Sequence, residues 1–183
     1  MKLPAGLIDN SVEVFKHNGV LKAATNGSII NYLELHPVLR EPFQAELLGE
    51  PLTIECLRTE FKLLQADEME EQFVDCRYAG AFDHVPDLKE GKLLPDSPMC
   101  NKLKTCKGFG TVCKAPKGPN GALSRHEYMI ALKEGEGKQD KEIAHECSIE
   151  ITTVRTHLSR IRNKLCINNR IEIGFWIQSK GIL

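Results

Sequence analysis

One stretch, residues 139–165 (QDKEIAHECSIEITTVRTHLSRIRNKL), constrains the fold of this chain more than any other. Ile143 and Ala144 fall on one face of a short helix, and Cys147 continues that stripe one turn later. Ala144 is small enough to let a second helix approach closely. Asp140 lies in the first turn, where a carboxylate suits the positive end of the helix dipole. Ser148 and Ile149 form a break, with Ile149 as its apolar plug. Beyond it Val154, Leu158, Ile161 and Leu165 recur at four, three and four residues, which gives a second helix one apolar stripe.

The other face of that second helix carries Thr152, Arg155, Thr156, Ser159, Arg162 and Asn163. Cations, hydroxyls and an amide suit phosphate oxygens and base edges. Two amphipathic helices with a tight break, the second bearing such a face, make a helix-turn-helix, in which the second helix enters the DNA major groove.

Residues 123–173 resemble the DNA-binding domain of the LuxR/NarL/GerE family. The opening Leu-Thr-x-x-Glu of that family is matched by Leu123, Ser124 and Glu127. Its Gly-x-Ser-Asn-Lys-Glu-Ile-Ala is matched by Gly137 and by the run Gln139, Asp140, Lys141, Glu142, Ile143, Ala144. Thr-Val-Lys-x-His is matched by Thr153, Val154, Arg155 and His157, and the closing Asn-Ile-x-x-Lys-Leu by Ile161, Lys164 and Leu165. Five positions depart from the pattern. Arg160 replaces Asn, and Glu150 replaces the Ser or Thr that caps the recognition helix. Lys133 and Glu134 stand where the family's first helix is apolar. Cys166 replaces the Gly that ends the recognition helix, which costs strain if the chain turns left-handed there.

The resemblance implies double-stranded DNA as partner. Lys141, Thr152 and Thr153, near the starts of the two helices, are then placed for phosphate. Arg155, Thr156 and Ser159 point at base edges, with Arg155 suited to a bidentate contact with guanine. His157, Arg160 and Lys164 flank them as backbone contacts. His157 has a second reading, a partly buried residue packed within the domain. Arg162 reads as a solvated charge. In the family the last helix commonly pairs two protomers, which implies a homodimer. A last helix is expected over 169–179, with Ile171, Phe175 and Gln178 on one side and Ile173 and Ile177 close by. Phe175 and Trp176 are the candidates for pairing, at least one of them being core.

Composition neither adds to nor opposes this. The chain has 183 residues and a net charge of −1, room for one medium domain or two small ones. Local charge decides contact with phosphate. Residues 151–170 carry Arg155, Arg160, Arg162, Lys164 and Arg170 and no acid, whereas Asp67, Glu68, Glu70 and Glu71 cluster in the front half. No run approaches the roughly 18 apolar residues of a membrane span, and the start has no signal-peptide core. A cytoplasmic protein with reduced thiols is the expectation.

Seven cysteines then need a reading. Cys76, Cys100, Cys106 and Cys113 are separated by 23, 5 and 6 residues in a loop-like segment rich in Gly and Pro. Such loops bury little apolar surface, so something must hold them. Four thiolates around Zn²⁺ would do so, with Asp83 or His84 as substitutes. An iron–sulfur cluster and plain reduced thiols remain alternatives. Cys56 and Cys147 read as packing, and Cys166 as exposed.

The front half reads as mostly helical, with a short helix over 11–24 and a long one over 54–74. Ile54, Leu57, Phe61, Leu64 and Phe73 form the stripe of the long helix, and Glu60, Lys62, Asp67, Glu70 and Glu71 its solvated face. Residues 25–53 give no clean period. KGFGTV (107–112) resembles half of an RNA-recognition signature but lacks the stacking aromatics. No phosphate loop, nucleophile elbow or His-Glu-x-x-His run occurs, so no enzyme is expected. No alternating pattern of buried strands and helices marks a receiver domain.

The chain is therefore expected to be mainly α. A helical N-terminal region spans 1–75, and a loop-rich cysteine module that a metal could staple spans 76–114. Residues 115–122 form a linker, and a four-helix LuxR-type helix-turn-helix domain occupies 123–183. The expected function is a sequence-specific transcriptional regulator with its recognition helix at about 151–165. Two alternatives are an interaction module that binds RNA polymerase or another protein with accessory DNA contact, and a metal or redox sensor.

Overall fold

The computed structural model describes residues 3–80 and 85–179. The chain divides into two compact units, Met1–Cys100 with Lys107–Lys114, and Asn101–Cys106 with Ala115–Leu183. It is mainly α, as expected.

The first unit opens with strands rather than the helix expected over 11–24. β1 (Glu13–His17), β2 (Val20–Thr25) and β3 (Ser28–Asn31) form an antiparallel sheet in that order. Two Asn-Gly turns dictate it. Asn18 and Gly19 take φ of 50° and 80°, and Asn26 and Gly27 take 49° and 75°. Positive φ at both central residues suits a two-residue hairpin turn, and Asn and Gly are the residues that tolerate it best. The register follows, with Glu13 opposite Ala24 and Thr25 opposite Ser28.

A 3₁₀ turn at Tyr32–Glu34 leads into α1 (Pro37–Leu48), within the stretch that shows no clean period. The long helix expected over 54–74 is two helices, α2 (Pro51–Thr59) and α3 (Ala66–Tyr78). The backbone turns left-handed at Lys62, with φ of 61°, and Leu64 is left exposed between them. Two short hairpins follow, β4–β5 at Leu88–Lys89 and Lys92–Leu93, and β6–β7 at Lys117–Gly118 and Gly121–Ala122. The second of these belongs to the other unit.

Val12, Val14, Leu21, Phe43, Leu57, Phe73, Val74 and Tyr78 build the core of the first unit. Phe43 and Tyr78 meet edge to face, with ring centroids 5.0 Å apart. Two buried ion clusters cross this core. Glu70, expected on a solvated face, is buried and accepts from Tyr32 Oη at 2.8 Å, Arg40 Nη2 at 2.7 Å and Gln44 Nε2 at 2.8 Å. Arg77 is fully buried and donates to Glu46, to both oxygens of Glu50, and to the carbonyls of Thr111 and Val112. Its guanidinium lies 4.4 Å from the centre of the Phe73 ring. Arg77, together with the burial of Val112, ties the 108–113 loop to the helices.

The second unit holds α4 (Arg125–Gly135), α5 (Asp140–Cys147), α6 (Ile151–Leu165) and α7 (Ile171–Ser179). Leu123, Tyr128, Ile130, Ile143, Val154, Ile161, Ile173 and Ile177 are buried in it. The stripe expected on the recognition helix, Val154, Leu158, Ile161 and Leu165, is buried throughout. Within 115–122, the stretch expected to be a linker, Lys117–Gly118 and Gly121–Ala122 pair as the β6–β7 hairpin on the end of α6. Asn120 donates its N–H to the Lys164 carbonyl at 2.9 Å and its Nδ2 to the Asn163 carbonyl at 2.8 Å. These donors satisfy carbonyls that the end of a helix leaves open. A Cβ on Gly118 would stand 2.4 Å from the Lys164 oxygen, so only glycine fits that approach. No helix among the described residues is long and apolar enough to cross a membrane.

Candidate nucleic-acid interface

The helix pair is set by its caps. Ser124 accepts from the Glu127 N–H while Glu127 Oε2 accepts from the Ser124 N–H at 2.7 Å, a reciprocal box that starts α4. The Gln139 N–H donates to Glu142 Oε2 at 2.7 Å at the start of α5. The break works as the sequence implies. Ser148 takes φ of 54°, and Ile149 donates its N–H back to the Ala144 carbonyl at 3.0 Å. Glu150 occupies the cap position of α6 without a side-chain hydrogen bond to the helix.

Lys133 and Glu134, the charges that seemed to spoil the first helix, hold the unit together. Glu134 binds Arg170 through both oxygens, at 2.6 Å from Oε2 to Nη2. Lys133 and Lys138 both pair with Glu146. Arg170 also gives Nη1 to Asp140 Oδ1 at 2.7 Å. These links join α4 and the start of α5 to the residue just ahead of α7.

Thr152, Arg155, Thr156, Ser159 and Arg160 are all exposed on α6, and Lys141 is exposed on α5. Thr153 is half-buried. The Thr156 hydroxyl donates to the Thr152 carbonyl at 3.0 Å, one turn back. Arg155 is 70 % exposed and places Nε 3.2 Å from Asp140 Oδ2. Burial raises the Asp140 pKa, but Arg155 and Arg170 more than offset that and hold it below the usual carboxylate range.

Two of the expected contact residues are engaged within the unit. Lys164 turns inward, with Nζ 2.7 Å from Glu127 Oε2 and 2.9 Å from the Ala122 carbonyl. His157 is half-buried on α6 and stacks on His126 of α4, ring centroids 6.3 Å apart and 18° from parallel. Its Nδ1 is buried without a hydrogen-bond partner among the described residues. Burial depresses the His157 pKa, and Arg160 and His126 depress it further against the opposing pull of Glu127. Asp140 and Arg170 are the residues of this surface that sequence reading missed. Asp140 was visible only as a helix-dipole charge, and no local signal pairs it with side chains 15 and 30 positions away.

Residues 121–176 match the family described as bacterial regulatory proteins, luxR family. This segment is a LuxR-type helix-turn-helix domain. The chain is 39% identical over 58 residues to the transcriptional regulatory protein LiaR of Bacillus subtilis, covering 32% of this chain and 28% of the relative. It is 34% identical over 102 residues to the transcriptional regulatory protein DesR of the same organism, 50% of each chain. A glycerol metabolism activator of Pseudomonas putida is 35% identical over 51 residues, 28% of this chain and 23% of the relative. The chain thus spans from about a quarter to half the length of these curated relatives. No solved structure matches.

The four cysteines expected to ligate zinc are dispersed in character. Cys113 is buried, Cys76 and Cys106 are half-buried, and Cys100 is exposed. Among the described residues, no three His, Cys, Asp or Glu side chains gather to hold an ion. Arg77, donating to the Thr111 and Val112 carbonyls, holds the loop that carries Cys113. Asp83 and His84, the substitutes, lie outside the described residues.

Proposed function

We propose that the protein is a sequence-specific DNA-binding transcriptional regulator whose α6 lies in the major groove. One observation carries this reading. Thr152, Arg155, Thr156, Ser159 and Arg160 stand exposed together on α6, directly behind a fully buried stripe, inside the segment that matches the luxR family. A helix anchored along one side and polar along the other can enter a groove without unfolding.

Lys141 supplies a phosphate contact beside α6, and the Arg155 guanidinium a base contact. A homodimer completes the reading, because one such domain covers only a half-site. Ile171 and Phe175 are exposed on α7 while Ile173 and Ile177 are buried on its other side. This leaves an apolar face outside the core for a second copy.

The test is selection of bound duplexes from a random pool by the full chain, at several salt concentrations. An enriched motif with half-sites about 10 base pairs apart supports the reading. Arg155→Ala should then cost roughly 1–3 kcal/mol and relax preference at one base pair per half-site. Absence of any enriched sequence overturns it.

A further inference from the structure

Arg155 has one hydrogen-bonding partner among the described residues, and that partner is the half-buried Asp140. The carboxylate is itself fixed from behind. Its Oδ1 receives Arg170 Nη1 at 2.7 Å, and Arg170 is clasped in turn by Glu134 and by the Lys138 carbonyl at 3.3 Å. A fixed acid therefore stands beside an exposed cation of the recognition helix. The contact uses the Nε–H of Arg155, and neither Nη1 nor Nη2 hydrogen-bonds to Asp140.

We infer that Asp140 is a specificity-determining residue that braces Arg155 for a base edge and weakens its hold on phosphate. The inference rests on the proposed DNA-binding function and deepens it. Two physical effects act together. An arginine side chain has many rotamers, and tying Nε reduces the freedom lost when the Nη pair meets a planar acceptor such as guanine O6 and N7. The acid also places a negative charge near any phosphate that Arg155 might grip. This lowers the sequence-independent share of binding more than the base contact. Both effects widen the gap between the right sequence and a random one.

Asp140→Asn keeps the shape and removes the charge. The experiment uses the full chain, a duplex selected by the wild-type protein and a scrambled duplex of equal length. Asp140→Asn should bind the scrambled duplex more tightly, and its preference for the selected duplex should fall by about tenfold, the scale of one well-made base contact. In an Arg155→Ala background the same substitution should leave the preference unchanged, because the braced side chain is gone. A parallel weakening on both duplexes, with or without a lower melting temperature, would make Asp140 a structural residue and overturn the inference. So would an equal loss of preference in the Arg155→Ala background. If the wild-type chain shows no preference at all, the DNA-binding proposal itself fails. A wild-type preference that survives Asp140→Asn overturns only the inference.

Discussion

Lys164 Nζ lies 2.7 Å from Glu127 Oε2, the same oxygen that accepts the Ser124 N–H at 2.7 Å. One carboxylate thus caps α4 and grips the last turn of α6. Burial raises its pKa, but Lys164 and the Ser124 donors outweigh that and hold it below the usual range. Glu127→Gln should cost about 1–3 kcal/mol at neutral pH, because a partly buried ammonium loses its counter-charge. A carboxyl with a depressed folded pKa stabilises at pH above its unfolded pKa, and that stability disappears as pH falls through the folded value. The wild-type and Glu127→Gln chains should therefore converge in urea stability as the pH drops below the carboxylate range. A difference that persists in acid would show that the ion pair contributes nothing.

Arg77 should be the most sensitive single position of the first unit. Its guanidinium is fully buried and is shared by Glu46, Glu50 and two loop carbonyls. Arg77→Met leaves two half-buried acids and two carbonyls without their donor, at an expected cost of about 3–5 kcal/mol. Arg77→Lys should recover little of that, since a single ammonium cannot reproduce a planar fork. Urea unfolding measures the loss, and amide exchange at Val112 and Cys113 should quicken first. A loss near that of a surface ion pair, under about 1 kcal/mol, would refute the role.

The C-terminal unit was legible because its signals are local. The four-three-four spacing from Val154 to Leu165 states one buried face, and that face is buried. The sheet was equally local and was missed. Asn18-Gly19 and Asn26-Gly27 are strong hairpin signals, the first inside the 11–24 stretch read as a helix and the second just beyond it. The 54–74 helix failed for the opposite reason. Phe61 and Leu64 fit a helical period by coincidence, while the backbone turns left-handed at Lys62 in the connection between α2 and α3. Glu70 looked solvated and Lys164 looked free for phosphate because their partners, Arg40 and Glu127, are 30 and 37 positions away. Charge pairing over such separations has no local signature.

Cys166 ends α6 at φ of 58° and ψ of 46°, and Ile167 donates its N–H to the Arg162 carbonyl at 3.1 Å. This is a left-handed helix end made by a residue with a Cβ. A left-handed L-residue carries roughly 1–2 kcal/mol of strain, and glycine adds about 0.5–1 kcal/mol of unfolded-state entropy in opposition. Cys166→Gly should therefore stabilise by about 0.5–1 kcal/mol, raising the melting temperature by a few degrees, while Cys166→Ala should not. A glycine variant that melts lower than wild type would contradict the strain assigned here.

His157 should make the second unit sensitive to mild acid. His126 and Glu127 face it from α4 and Arg160 from its own helix, and its Nδ1 is buried. Burial first, then the two neighbouring bases, depress its pKa below the ordinary 6.5 despite the pull of Glu127. The unfolded chain thus takes up the proton before the folded one does. The neutral ring is the folded form, so its contribution is complete above pH 6.5 and is lost as pH falls from there through the lower folded value. Imidazole NMR should give a midpoint under 6.5 for His157. Urea midpoints should drop over the same window in the wild-type chain and drop less in His157→Phe, which keeps a ring against His126 and takes up no proton. A His157 midpoint at or above 6.5 would reverse the sign and remove the prediction.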